Sequence, residues 1–300
     1  MNRKLTAYAA ASCTVVLWGL SYIWIDRLLD LGIPVEFFVP LRILLAGLLL
    51  LALNLATGKK MKIQRGDLWR FGLLALCMPF VYFIAETYGL AFTDSPTVTS
   101  LIIAMNPIFA MMVGLLIFKE KFGFANILGV FITLAGLWMV IYTSSSAGQH
   151  FWLGILILFI AVAAEVSQIA FTKALSERYS ASVIVMYQFL LGSVFFLPMF
   201  LTKGISSFEP ELYLSWKVVY QILALALLCS ATAFTTWAYA IGKLGVARTS
   251  VFLAVVPMVT ALLSVLLGSE TLGWIQWGGL AVGMVGIYLT QKEKNENTRN

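Results

Sequence analysis

The second half of this 300-residue chain repeats its first, and both halves are strongly apolar. A shift of 150 positions carries Thr99, Ser100, Ala104, Pro107, Leu116, Glu120, Gly123, Gly129 and Gly136 onto Thr249, Ser250, Ala254, Pro257, Leu266, Glu270, Gly273, Gly279 and Gly286. Nearer the start of each half, a shift of 146 pairs Ser21, Leu29, Leu44 and Leu45 with Ser167, Leu175, Leu190 and Leu191. Shared composition accounts for matching leucines. It does not account for a proline, a glutamate and three glycines kept at one spacing. Duplicated helical halves are the architecture from which many secondary transporters build a site near the bilayer midplane.

Composition sets the solvent. With 61% hydrophobic and 11% charged residues and a mean hydropathy of +0.92, the chain is far more apolar than soluble proteins, where about a quarter of residues are charged. A spanning helix needs roughly 20 mostly apolar residues. Ten segments qualify: 8–26, 36–56, 69–92, 96–118, 124–143, 151–173, 182–202, 218–241, 246–268 and 274–290. The expected fold is an all-α membrane protein of ten transmembrane helices. Five helices per half is an odd number, so the second half enters the membrane from the opposite side and the repeats are inverted. The expected division is a first repeat at 1–143, a small polar linker at 144–150, a second repeat at 151–290 and a tail at 291–300. The first span is longer than a signal core and lacks a small-residue cleavage site, so it is expected to stay.

Orientation follows from lysine and arginine, which cytoplasmic loops carry in excess. Sixteen of the 20 basic residues, from Arg3, Lys4 and Lys59 through to Lys292, Lys294 and Arg299, lie on one set of flanks. Arg27, Lys203 and Lys217 lie on the other, and Arg42 falls inside a span. Both termini are therefore expected in the cytoplasm. The net charge of +6 follows from the same bias and calls for no nucleic-acid partner. Cys13, Cys77 and Cys229 have neither pairing nor metal-ligand spacing, His150 is the only histidine, and no phosphate-binding or nucleophile motif is present. No metal, no cofactor and no enzymatic activity are expected; the expected partners are the bilayer and a small molecule, with the chain acting as a monomer.

Short motifs carry a resemblance. Leu17-Trp18-Gly19-Leu20-Ser21, then Pro34, then Pro40-Leu41-Arg42 resemble the start of an EamA repeat of the drug/metabolite transporter superfamily. Tyr88-Gly89-Leu90-Ala91, Asn106-Pro107-Ile108-Phe109 and Lys119-Glu120-Lys121 continue it, and Ala238-Tyr239-Ala240, Val256-Pro257 and Ser269-Glu270-Thr271 repeat its later elements. The resemblance implies ten helices, an inner-membrane location and carriage of small metabolites or drugs. Early in the second half the pattern breaks: Glu165 stands where the first half has Gly19, and Gln188 where it has Arg42.

Those departures point to the candidate site. Charge near the bilayer centre is costly and usually faces a cavity or a partner. Arg42 and Glu86 lie at similar depth in their helices, fit either to pair or to meet a substrate. Pro79, Tyr82, Glu86, Gly89 and Thr93 recur every three or four residues and share one helix face. Glu165 sits mid-helix in a stripe with Ala161, Gln168 and Thr172, with no basic residue at its depth in the second half. Such a carboxyl binds a proton or a cationic substrate but not both, which makes Glu165 the proton-coupling candidate. Small multidrug resistance proteins resemble this arrangement in carrying an essential glutamate in their first helix. The candidate substrate-binding residues are Trp18, Ser21, Arg42, Tyr82, Glu86, Glu165, Gln168, Gln188 and Trp237, with Tyr22, Trp24, Tyr88, Tyr187 and Tyr239 as further aromatic lining. Pro107 and Pro257 are candidate hinges, since a proline within a span frees a backbone carbonyl. The glycine runs suit close helix packing, and Glu120 and Glu270 suit helix ends at the water boundary. Trp69, Trp152, Trp216 and Trp274 suit interfacial anchoring. The favoured function is a secondary carrier exporting a small organic metabolite, an amino acid or similar, by alternating access. Efflux of drugs or toxic cations by proton antiport is the second, and a membrane sensor or intramembrane enzyme the third, without the output domain or catalytic cluster each needs.

Overall fold

A computed structural model of the chain describes residues 3–109, 111, 123–143, 150–205, 208–245, 248–249 and 251–290. Leu116, Lys119, Glu120, Lys121 and Ser250, the linker residues 144–149 and the tail 291–300 lie outside the described residues. The described elements are helical throughout: α1 Arg3–Asp30, α2 Val35–Ala56, α3 Leu68–Ala75, α4 Tyr82–Thr93, α5 Pro96–Ile103, α6 Phe124–Tyr142, α7 Phe151–Leu175, α8 Ala181–Met199, α9 Pro210–Tyr213, α10 Trp216–Ala224, α11 Ala233–Leu244, α12 Val256–Leu266 and α13 Trp274–Thr290. Among the described residues, seven helical stretches are long and apolar enough to cross a membrane, and Pro96–Phe109 and Val251–Leu266 form shorter apolar helices. The protein is a multi-pass membrane protein. Trp69, Trp152, Trp216 and Trp274 project outward near helix starts, 58–91% exposed.

The two halves carry matching interruptions. Between α3 and α4 the helix widens into a π-type turn over Leu76–Val81, with Met78 extended (φ −143°, ψ 120°) ahead of Pro79. Between α10 and α11 the same widening recurs at Leu225–Thr232. Such π-type segments tend to fall at functional sites. The next helix of each half is broken as well. α5 ends at Ile103, turns through Ala104 and Met105 and resumes at residue 106. In the second half a 3₁₀ turn, Val251–Val255, leads into α12. Pro107 and Pro257 both stand in the first turn of the resumed helix, where a missing N–H goes unmissed.

The most extensive packing is between repeats. α1 packs on α11 and α12, α2 on α8, α4 on α7, and α6 on α13. Lipid supplies no hydrophobic force between helices, so small residues at the contacts let backbones approach. A Cβ on Gly129 would lie 2.6 Å from Thr290 N and 2.7 Å from Gly286 O, and one on Gly279 would lie 2.8 Å from Gly136 O. The glycine runs of the two repeats therefore face each other, backbone to backbone. Their helices start alike: Asn126 Oδ1 accepts from Gly123 N at 2.9 Å, and Gln276 Oε1 from Gly273 N at 2.8 Å. Asn126 Nδ2 also donates to Thr290 O, 3.0 Å away, at the far end of α13.

Polar ties at both ends of the bundle join the repeats. At the end rich in basic residues, buried Asp67 pairs with Arg70 (3.0 Å) and with Arg178 (3.2 Å) of the second repeat, and accepts from Tyr179 Oη at 2.9 Å. At the opposite end Glu270 reaches from the second repeat to the start of α5. It accepts from Ser95 Oγ at 2.5 Å, Thr97 N at 3.2 Å and the Thr97 hydroxyl. The helix end expected at the water boundary is thus a carboxylate capping a helix of the other half. Arg27 Nη2 donates to Leu267 O at 2.7 Å beside it.

Candidate functional site

Where the two repeats meet, a narrow cavity of about 20 Å³ opens at the level of the helix interruptions. That is room for about one ordered water in the state described. Trp18, Ser21 and Tyr22 of α1 line the cavity, with Arg42 of α2, Met78, Tyr82, Phe83 and Glu86 of the α3–α4 stretch, Ser100 and Ile103 of α5, and Ala104 at the break after it. The second repeat adds Glu165 of α7, Phe234 of α11, Leu253 and Val256. Three ionisable groups inside an apolar bundle are therefore gathered on one wall-to-wall space.

Each of the three keeps hydrogen-bonding capacity in reserve. Arg42 is 1% exposed; its Nε donates to Ser230 Oγ at 3.1 Å, its guanidinium carbon lies 4.3 Å from the centre of the Phe83 ring, and its Nη1 has no partner. Tyr82 donates to Glu86 Oε1 at 2.7 Å, leaving Oε2 without one. Glu165 Oε2 is likewise buried and unpartnered. Among the described residues no ion pair within 4.0 Å joins Arg42 to Glu86. The two face one cavity without neutralising each other by contact, so the static lock between helices is absent. A buried polar atom left unpaired costs about 1–3 kcal/mol, and several held around one cavity mark a place where something else supplies the bonds.

Six of the nine candidate substrate residues line the cavity: Trp18, Ser21, Arg42, Tyr82, Glu86 and Glu165. Three do not. Gln168 shares the stripe of Glu165, but its Nε2 donates to Thr172 Oγ1 at 2.9 Å. Gln188 is fully buried without hydrogen-bond partners and stands outside the lining. Trp237 packs behind the wall, its ring 5.1 Å from that of Trp18. Of the further aromatics only Tyr22 lines the space; Tyr88 donates instead to Glu36 Oε1 (2.7 Å) and Tyr187 to Met61 O (2.8 Å). The face predicted on the third span divides: Pro79 lies in the wide turn, and the regular helix Tyr82–Thr93 meets different neighbours along its length. Tyr82 and Glu86 reach the cavity, whereas Gly89 packs on Leu158 and Gly154, and Gly192 packs on Pro79.

Sequence reasoning passed over Ser230, which orients Arg42, and Asn106, which adjoins Glu165. Asn106 had a visible signal in the Asn106-Pro107 pair; Ser230 had none, since only folding brings the second wide turn against α2. Folding also gathers Asp26, Asp30 and Asp94, whose carboxylate oxygens lie within 4.8 Å of one another. Their separation in sequence hides that grouping.

Interrupted helices around an enclosed charged cavity between two repeats define a membrane transporter. The profile of the EamA-like transporter family matches residues 5–142 and 152–291, and the chain belongs to that family. An uncharacterized transporter of Archaeoglobus fulgidus is 26% identical over 94% of this chain and 97% of its own. A probable terminal-alkyne amino-acid exporter of Streptantibioticus cattleyicolor is 26% identical over 93% of this chain and 91% of its own. A crystal structure 17% identical superimposes with a TM-score of 0.65 over 92% of this chain and 97% of its own, and so shares the fold.

Proposed function

We propose that this chain is a secondary transporter that exports a small organic metabolite, an amino acid or a close analogue, by alternating access. In this reading ten helices form two inverted five-helix repeats, at 1–143 and 151–290, in a cell's inner membrane. Both termini face the cytoplasm in this reading, which the distribution of basic residues supports. The observation that carries the reading is the set Arg42, Glu86 and Glu165 on one cavity, each with an unpartnered polar atom. A substrate carboxylate suits Arg42 Nη1, a substrate ammonium suits Glu86 and Glu165, and an apolar side chain suits Trp18, Phe83 and Phe234. The Streptantibioticus relative, named as an amino-acid exporter, supports the same class.

Charge balance supplies the coupling. One guanidinium offsets one of two carboxylates, so the other is neutralised by a proton or by the substrate's ammonium. If Glu165 holds the proton in one half of the cycle and releases it to admit substrate in the other, the two ligands exclude each other and exchange. The same surplus carboxylate beside an aromatic wall also supports the second reading, efflux of an organic cation by proton antiport. In proteoliposomes, Arg42→Ala and Glu86→Gln are expected to abolish counterflow of radiolabelled amino acids while abundance and melting temperature stay near those of the parent protein. Equal loss of folded protein in both variants would assign these residues to structure instead.

A further inference from the structure

Asn106 is the first residue of the helix that resumes after the break at Ala104–Met105. It is 3% exposed, its carboxamide stands at hydrogen-bonding range of the Glu165 carboxyl group, and its Oδ1 has no hydrogen-bond partner. A buried amide oxygen without a donor is retained where a ligand or water completes it. Together with Glu86 Oε2 and Glu165 Oε2, Asn106 Oδ1 makes three unpartnered buried oxygens in this part of the bundle. A primary ammonium carries three N–H donors, and a quaternary ammonium carries none.

We infer that Asn106 completes, with Glu86 and Glu165, a seat for a primary ammonium group, and that this seat makes the transporter select primary amines over their N-methylated analogues. The inference rests on reading the cavity as the substrate site and narrows which cation that site takes. Methylation removes donors one at a time and leaves buried oxygens unpaired. The Arg42 guanidinium already lies over Phe83, so cation–π contact with a quaternary group falls to Trp18, Tyr82 or Phe234 and leaves the oxygens unpaired.

The test is binding of two probe series to the purified full chain by isothermal titration calorimetry. One series is phenylalanine, N-methylphenylalanine and N,N,N-trimethylphenylalanine; the other is phenethylamine and its N-methyl and N,N,N-trimethyl forms. Affinity is expected to fall about tenfold or more with the first methyl group and to vanish with three, in both series. Asn106→Ala should weaken the primary amines and narrow the ratio to the N-methyl forms, whereas Asn106→Asp, which keeps an oxygen acceptor, should preserve the ranking. The unsubstituted protein decides the matter even if an Asn106 variant fails to fold. Equal affinity for primary and trimethylated probes overturns the seat alone and leaves the cavity as the substrate site. Binding of no probe in either series overturns both.

Discussion

Removing the Glu270 carboxylate should release one end of the cavity. Glu270 joins the repeats by accepting from Ser95 Oγ, Thr97 N and the Thr97 hydroxyl at the start of α5, and Ser95 and Thr97 are both buried. In Glu270→Ala these donors lose their acceptor and the helix N-terminus loses a favourable negative charge. Each buried donor left unpaired costs about 1–3 kcal/mol, and the dipole adds roughly 0.3–1 kcal/mol. The two hydroxyls can turn to nearby carbonyls, so the joined state should lose about 2–4 kcal/mol relative to one with α5 and α12 apart, a shift of roughly 30- to 1,000-fold in their ratio. Ser100 lines the cavity on α5 and reports it. With Cys13, Cys77 and Cys229 replaced, a cysteine introduced by Ser100→Cys should react with a membrane-impermeant thiol reagent at least about tenfold faster from the Glu270 side once Glu270→Ala is added. Glu270→Gln, which keeps one acceptor oxygen, should fall between. An unchanged rate in folded protein would refute the idea that this contact holds the repeats together.

Two further outcomes follow from packing and charge. Gly136→Ala should lower stability by about 1–3 kcal/mol, because the added Cβ meets backbone of Gly279 and Gly283, whereas Gly278→Ala should be nearly neutral, its nearest neighbour being Met139 Cε at 3.6 Å; equal shifts in melting temperature would contradict the backbone contact. Partial desolvation and the neighbouring Asp30 push the Asp94 carboxyl above its usual range, so the folded state holds that proton more tightly and is weakened as pH rises through this group's titration. Asp94→Asn keeps a side chain tolerant of the left-handed backbone there (φ 51°), and should raise the melting temperature at pH 8 with the gain shrinking as pH falls toward the ordinary carboxylate range; a gain equal at pH 8 and pH 4 would remove the charge from the explanation.

Much of the architecture was legible because lipid leaves few choices: spans must be helical, and a repeated Pro, Glu and Gly spacing reports a repeated structure. The glycines also read correctly, since small residues at helix contacts are the common solution. The buried charges Arg42, Glu86 and Glu165 were legible from cost alone. What failed was rotation. Gln168 shares a stripe with Glu165, yet bonds to Thr172 one turn on, and Gly89, on the same regular helix as Tyr82 and Glu86, packs on α7 instead. Tyr88 and Tyr187 read as cavity aromatics because periodicity gives a face but not the neighbour it meets. Ser230 and Glu270 act across more than 150 positions of sequence, on Arg42 and on α5, and such contacts exist only once the halves interlock.

The central claim is that one carboxylate of the cavity alternates between a proton and the substrate. Glu165→Gln resembles the protonated acid and has no proton to release. In proteoliposomes loaded with radiolabelled amino acid, the variant is expected to retain substrate-for-substrate exchange and to lose all accumulation driven by an imposed pH gradient, which the unsubstituted protein should show. A Glu165→Gln protein that still concentrates substrate under that gradient would contradict the claim.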